Sequence, residues 1–331
     1  MRRTIFMAAM ALSVAAFAGA DNGERLIDYV NPFVGTDGYG NVYPGAQIPF
    51  GGIQISPDTD EHFYDCASGY KWNRQSIQGF SLTHLSGTGI PDLGDFLFMP
   101  GTGEIKLAPG TDENPDEGYR SRFSHDEEVA TPGYYGVTLK DYGVKAEMTS
   151  ATRSGIFRFT YPESDSSFIL IDLNHTLWQQ CVWSNIRVEN DTVVTGYKLV
   201  KGWGPERHIY FRAVFSKPLK DFMIYQDQKP VIYNTSRFRS NREAWGPNIL
   251  FTASFATRKD EVVTVKTSIS ATGTDGAALN MRELDGMTFD SVKALAERKW
   301  EEELSTYTIE GTRAQKETFY TSAYHAALCP F

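Results

Sequence analysis

The 331-residue chain has only three cysteines, Cys66, Cys181 and Cys329. An odd and small number excludes a disulfide framework, and at least one thiol must be free or pair outside this segment. Cys-x-x-Cys and His-x-x-x-His are both missing, so the usual zinc spacings are absent and no metal ligand is nominated. There is no Gly-x-Ser-x-Gly elbow either. Ser86, although followed by Gly87, therefore lacks the setting of a nucleophilic serine. The net charge is −9 with no basic block to offset it, which argues against a nucleic-acid surface.

What is present begins with a targeting pattern. "MRR" is a basic n-region, "TIFMAAMALSVAAFA" an apolar core, and Ala18-Gly19-Ala20 a small-x-small cleavage site. The apolar run is short for a bilayer span and Asp21 follows at once, so residues 1–20 read as a signal peptide and not a membrane anchor. Export to the periplasm or the extracellular space is expected, with a mature chain starting at Asp21. Losing Arg2 and Arg3 takes the net charge from −9 to −11. No cysteine follows the signal to carry a lipid. Asn-x-Ser/Thr triplets at Asn174, Asn190 and Asn234 are common by chance and decide nothing alone.

From Tyr29 to about Pro109, Gly and Pro interrupt the chain every few residues, which leaves no room for long helices. From Tyr134 onward period-2 runs take over, beginning with "YYGVTLKDYGVKAEMTSATRSGIFRFTYP" and "SFILIDL". Hairpin turns are expected at Asp141-Tyr142-Gly143 and Ser154-Gly155. Many antiparallel strands without alternating helices point to a sandwich. The pattern breaks near Gly276. "TFDSVKALAERKWEEELSTY" places Val292, Leu295, Ala296, Trp300 and Leu304 near one helical face, with Thr288 or Asp290 as cap. "RAQKETFYTSAYHAAL" reads as a second helix facing inward with Phe319, Ala323 and Ala326 or Ala327. An apolar helix needs a partner, so a helical domain is expected to begin here, the alternative being an appendage folded back on the sandwich.

Acidic residues are plentiful, but no spacing nominates a catalytic pair. Asp58, Asp65, Asp92 and Asp95 lie in the Gly-rich region, where turn roles are common. Asp172 follows "FILI" and precedes "LNHT", either facing a cleft or tying down that loop. His84, in "QGFSLTHLSGTG", can donate and accept beside Thr83 and Ser86. A polar loop that holds a sugar or braces a neighbouring loop fits this composition. An aromatic face packs against the C–H face of a pyranose, which makes Tyr70, Trp72, Trp178, Trp183, Trp203 and Trp245 candidates. Trp72 leads, because Lys71 and Asn73 suggest an exposed stretch. Trp183, beside Cys181 and Val182, looks like core.

"YVNPFVGTDGYGNVYPGAQIPFGGIQISPDT" followed by "CASGYKWNRQSIQGFSLTHLSGTGIPDLGDFLFMP" resembles the N-terminal part of glycoside hydrolase family 92, exo-acting α-mannosidases of bacteria frequent in glycan-degrading Bacteroides. "ATRSGIFRFTYP", "LIDLNH", "MRELDGMTFDSVKALAERKWEEEL" and "FYTSAYHAAL" resemble the family's later blocks in order. The resemblance implies a two-layer antiparallel supersandwich of the galactose-mutarotase-like kind, packed on an (α/α)6 barrel with the active site between them. It divides the chain into the signal peptide 1–20, a sandwich domain 21–275, and a linker helix with the start of a truncated helical domain 276–331. It implies inverting, calcium-dependent hydrolysis of mannose-containing glycans. Because the family's acid, base and calcium ligands come from the barrel, none is expected before Phe331, and the partners implied are the glycan and the missing helical domain. Substrate contacts are expected from the pocket loops at Ser68, Gly69, Tyr70, Trp72, His84 and Ser86. Two departures stand out: Leu82 occupies a place where the family usually has a histidine, and Phe331 follows Pro330 where a polar residue is common. A carbohydrate-binding module and a purely structural sandwich, both without catalysis, are the competing readings.

Overall fold

The computed structural model describes residues 24–59, 66–219, 221–233 and 241–328. The signal peptide with its cleavage site, Asp65, Asn234, Cys329 and Phe331 lie outside these residues. Among the described residues, two antiparallel sheets hold all but two of the strands. The seven-stranded sheet runs, in spatial order, Ser56–Asp58, Gly79–Ser81, Leu97–Thr102, Ser164–Asp172, Ile249–Thr257, Asp221–Gln226 and Lys229–Pro230. The nine-stranded sheet runs Glu243–Gly246, Gln180–Val188, Val193–Lys201, Arg207–Phe215, Glu261–Ser270, Ser154–Tyr161, Val144–Ser150, Tyr134–Leu139 and Glu128–Thr131. The architecture is the expected two-layer sandwich.

Alternation of side chains dictates this packing. In Ser154–Tyr161, Phe157 and Phe159 turn inward while Ile156 and Arg158 turn out. Across the sandwich, Phe98 of the smaller sheet meets Phe157 at 5.0 Å and Phe211 at 6.4 Å, the latter edge-on. Each such buried ring contributes about 2 kcal/mol of apolar transfer. The turn at Lys140–Gly143 falls where the sequence places it. The second does not: Ser154 and Gly155 open a strand, and the chain reverses over 151–153. Gly155 serves close approach, since a Cβ there would meet Ile55 Cδ1 at 2.4 Å.

The helices are Thr274–Met281 (α1), Phe289–Leu304 (α2) and Arg313–Ala326 (α3). Thr288, not Asp290, caps α2, in a reciprocal capping box with Ser291, and Thr312 with Gln315 does the same for α3. Asp290 instead pairs with Arg158 on the sheet at 2.8 Å. Helix α2 buries Val292, Ala296, Trp300 and Leu304 as expected, with Leu295 only half-buried at the margin. Helix α3 is rotated from expectation. Tyr320, Tyr324 and the following Ala327 are buried, Phe319 and Ala323 flank the core, and Ala326 is exposed. The tyrosines prevail because Tyr324 packs on Trp300 at 4.5 Å and Tyr320 stacks on Tyr29 at 5.8 Å. Helix α1, short and weakly amphipathic, has no clear sequence signal and is held by Ser268 Oγ donating to the Ala277 carbonyl at 2.7 Å. Helices α1 and α2 cover one half of the outer face of the larger sheet.

Candidate functional site

The Gly-rich stretch folds around a buried carboxylate. Asp58, fully buried, ends the strand Ser56–Asp58. Its Oδ1 lies 2.8 Å from His84 Nε2 and its Oδ2 accepts from His175 Nε2 at 2.9 Å. His84 Nδ1 donates to the Gln54 carbonyl at 2.8 Å, and Ser81 Oγ stands 3.0 Å from Nε2. Burial alone would raise the Asp58 pKa, but the two imidazoles outweigh it and hold the carboxyl well below the usual range. His84 has no exposed surface, and Tyr43 packs on it at 5.2 Å. The ring braces three segments at once.

Gly69 passes directly over this pair at φ +85°, a backbone region that favours glycine. Ser68 beside it is buried with an unpartnered Oγ. Tyr70, also buried, donates to Glu128 Oε2 at 3.0 Å, and Tyr135 donates to the other oxygen at 2.5 Å. Burial pushes the Glu128 carboxyl up, while these phenols and His125 pull against it. Trp72 is half-buried. It lies flat on His125 at 3.6 Å, meets Phe33 edge-on at 5.2 Å, and Phe33 also touches Tyr70 at 6.4 Å. Ser86 sits half-buried on the neighbouring loop, which is tied down where Gly87 N–H donates to the Asn41 carbonyl at 2.7 Å. The six sequence candidates thus share one region, with His84, Gly69 and Tyr70 inside it and Trp72 and Ser86 nearer its surface. Leu82 is core, fully buried on the strand side of the His84 turn.

Three expectations fail locally. Lys71 is not exposed: its ammonium turns back to the Gly38 carbonyl and its N–H donates to Thr59 Oγ1 at 2.9 Å. Trp183 is not core but 44% exposed, because its strand starts with a bulge between Cys181 and Trp183 that turns the indole to the outer face. Asp95 is no turn residue. It takes Arg207 at 2.7 and 3.2 Å, Thr83 at 2.7 Å and Lys198 at 3.4 Å, and these charges hold its carboxyl below the usual range despite burial. Asp172 does what one of its two readings expected. Oδ1 accepts the N–H groups of Asn174 and His175 and Oδ2 the Tyr119 hydroxyl at 2.8 Å, fixing the loop after its strand. That loop also borders a polar cleft of about 590 Å³ reached by Asp172, Asn174, His175 and Asn248.

Among the described residues no group of three or more His, Cys, Asp and Glu side chains is disposed to hold a metal ion. The calcium implied by the resemblance finds no donor set among the described residues. Cys66 is buried and Cys181 half-buried. Sequence reasoning missed Asp58 as the partner of His84, His175 as the second partner of Asp58, and Glu128 as the partner of Tyr70. The separations, 26 residues between Asp58 and His84 and 117 between Asp58 and His175, leave no local signal.

Solved structures share this fold. A family GH92 α-mannosidase from Bacteroides thetaiotaomicron, solved alone and in complex with mannoimidazole, is 71% identical over 93% of this chain, with a TM-score of 0.91. A family GH92 inverting mannosidase from Bacteroides thetaiotaomicron VPI-5482 is 26% identical over 92% of the chain, with a TM-score of 0.77. An uncharacterized secreted glycosidase from Arthroderma benhamiae is 25% identical over 97% of the chain. The chain spans 40 to 42% of the length of these solved proteins and 44% of the fungal one. The sandwich followed by emerging helices is the architecture of a glycosyl hydrolase family 92 N-terminal domain running into the start of its catalytic domain. The glycosyl hydrolase family 92 N-terminal domain matches residues 29–270 and the family 92 catalytic domain matches residues 276–331. The chain belongs to glycosyl hydrolase family 92.

Proposed function

We propose that this chain is the N-terminal portion of a calcium-dependent, inverting exo-α-mannosidase acting on mannose-containing glycans, and that its Gly-rich loops complete the substrate pocket. The observation that carries the reading is the 71% identity to an α-mannosidase solved with mannoimidazole. Ser68, Gly69, Tyr70, Trp72, His84 and Ser86 are the segment's contribution, with Trp72 and Ser86 in contact with sugar and the others holding them in place. The Trp72–His125 stack presents a rigid aromatic edge, and the Asp58 network beneath it resists rotation of the loop.

Inverting hydrolysis needs a protonated acid and a basic carboxylate with water between them. Asp58 and Asp95 cannot act as that acid, because buried cations and imidazoles hold them ionised and no water reaches them. Asp172 is occupied by three donors. We therefore assign acid, base and calcium ligands to residues outside this sequence. Export is part of the proposal and rests on the basic n-region, the apolar run and Ala18-Gly19-Ala20; among the described residues no helix is long and apolar enough to cross a membrane.

A chimera tests the reading. Residues 21–331 replace the matching part of the 71% identical relative, and release of mannose from an α-mannobiose is followed. Turnover is expected from the chimera and only the buffer rate from the isolated chain, since acid–base transfer contributes on the order of 10²–10⁴-fold. A folded, inactive chimera would overturn the proposal, as would mannose release by the isolated chain.

A further inference from the structure

The two sheets meet at the turn that joins Glu243–Gly246 to Ile249–Thr257, and a cleft opens beside it, with His175, the partner of Asp58, in its lining. Two adjoining hollows of about 590 and 400 Å³ share Pro109, Asp172, Asn174 and Asn248 and form one groove. That size lies within the ~300–1,000 Å³ range of small-ligand sites. Its lining is unusual in composition. Six carboxamides border it: Gln78, Asn174, Gln179, Gln180, Gln228 and Asn248. Among the described residues no lysine or arginine lines it, and the two acids that do are engaged, Asp172 by three donors and Asp227 by Asn248 Nδ2 at 2.6 Å.

A carboxamide offers donors and an acceptor in one plane, which matches vicinal hydroxyls better than it matches an ion. Asn174, Gln180 and Gln228 are exposed. Gln179 is 8% exposed, donates to the Pro91 carbonyl at 3.0 Å, and keeps its Oε1 buried without a hydrogen-bond partner. An unpaired buried acceptor is unfavourable.

An aromatic ledge continues the groove around the sheet edge. Val182 and Pro247 line the groove, and Trp183 and Trp245 stand one and two residues away, on the half of the outer face that α1 and α2 leave open. Register places Trp245, Asn185, Tyr197 and Tyr210 in one row across four strands. Trp183 shares that face by alternation, and Tyr197 packs on Tyr210 at 4.9 Å. Trp183 and Trp245 remain 44% and 55% exposed, large flat surfaces suited to the C–H faces of sugar rings.

We infer that this groove and ledge form a second saccharide-binding site, distinct from the Trp72 loop, that takes a neutral, hydroxyl-rich oligosaccharide. The carboxamides hold one ring in the groove and the indoles carry the chain outward. The inference draws on the saccharide-directed reading of the protein but not on mannose as the sugar.

The test uses the full chain with α-mannotriose, maltotriose, cellotriose and, as an acidic comparison, trigalacturonate. Tryptophan fluorescence and saturation-transfer NMR read binding. At least one neutral trisaccharide binds more tightly than trigalacturonate, and Asn174→Ala with Gln180→Ala raises its Kd at least tenfold. Both positions are exposed, so the fold is retained, which far-UV circular dichroism verifies; Gln228→Ala and Trp183→Ala each give smaller losses in the same direction. An unchanged Kd in the double variant, a preference for trigalacturonate, or no neutral ligand at all overturns the inference. Groove binding of maltotriose or cellotriose but not mannotriose supports it while counting against the mannose reading.

Discussion

Gly69 lies so close to Asp58 that a Cβ built on it would stand 2.0 Å from Oδ1. The loop's path and the buried carboxylate are therefore one feature. Gly69→Ala adds a steric clash to a left-handed backbone at φ +85°. A loss of about 3 kcal/mol is expected from strain and displacement of the carboxylate together. Urea denaturation of the variant, with a midpoint equal to wild type, would refute this.

Asp58→Asn separates the charge of this network from its shape. Breaking a buried pair on one side costs about 3–5 kcal/mol. The folded-state pKa of Asp58 lies below its unfolded value of ~3.9, so its contribution is complete above that value and declines as pH falls below it. Wild type is expected to lose stability below about pH 4. The variant starts lower at pH 7 and shows a shallower acid decline, to be read from urea midpoints between neutral and acid pH.

Trp300 joins the helices to the sandwich: fully buried, its indole N–H donates to the Gln47 carbonyl at 2.6 Å. Trp300→Phe leaves that carbonyl unpaired, at a cost of about 1–3 kcal/mol. Trp300→Ala adds a cavity and costs about 3–5 kcal/mol. Both variants should unfold in one transition, with the helical signal and sheet fluorescence changing together. Helices that melt separately from the sheets would contradict the coupling.

Trp72→Ala in the active chimera removes the ring stacked on His125. The expected loss in kcat/KM for α-mannobiose corresponds to about 1–3 kcal/mol, the scale of an aromatic contact hot spot. Trp72→Phe should recover part of it. Unchanged kinetics in both variants would remove Trp72 from the substrate pocket.

Calcium offers a cheap contrast. Because the segment is assigned no ligands, adding calcium or a chelator should leave the melting temperature of the isolated chain unchanged, whereas the chimera should lose activity on chelation. A rise in the isolated chain's melting temperature would place a site within it.

The period-2 runs by themselves determined the antiparallel sandwich, and local apolar periodicity determined that two helices close the chain, because these signals act within a few residues. That Thr288 and not Asp290 caps α2, and that Thr312 caps α3, came from the structure. Ordered motifs likewise determined the family. Tertiary structure alone decided the rest. Whether Trp183 is core or ledge depends on a bulge, and which face of α3 turns inward depends on Trp300 and Tyr29. Whether His84 reaches solvent depends on Asp58 and His175, brought together from segments distant in sequence. A side chain's burial and charge are set by neighbours that only the completed fold supplies, so no local pattern could contain them.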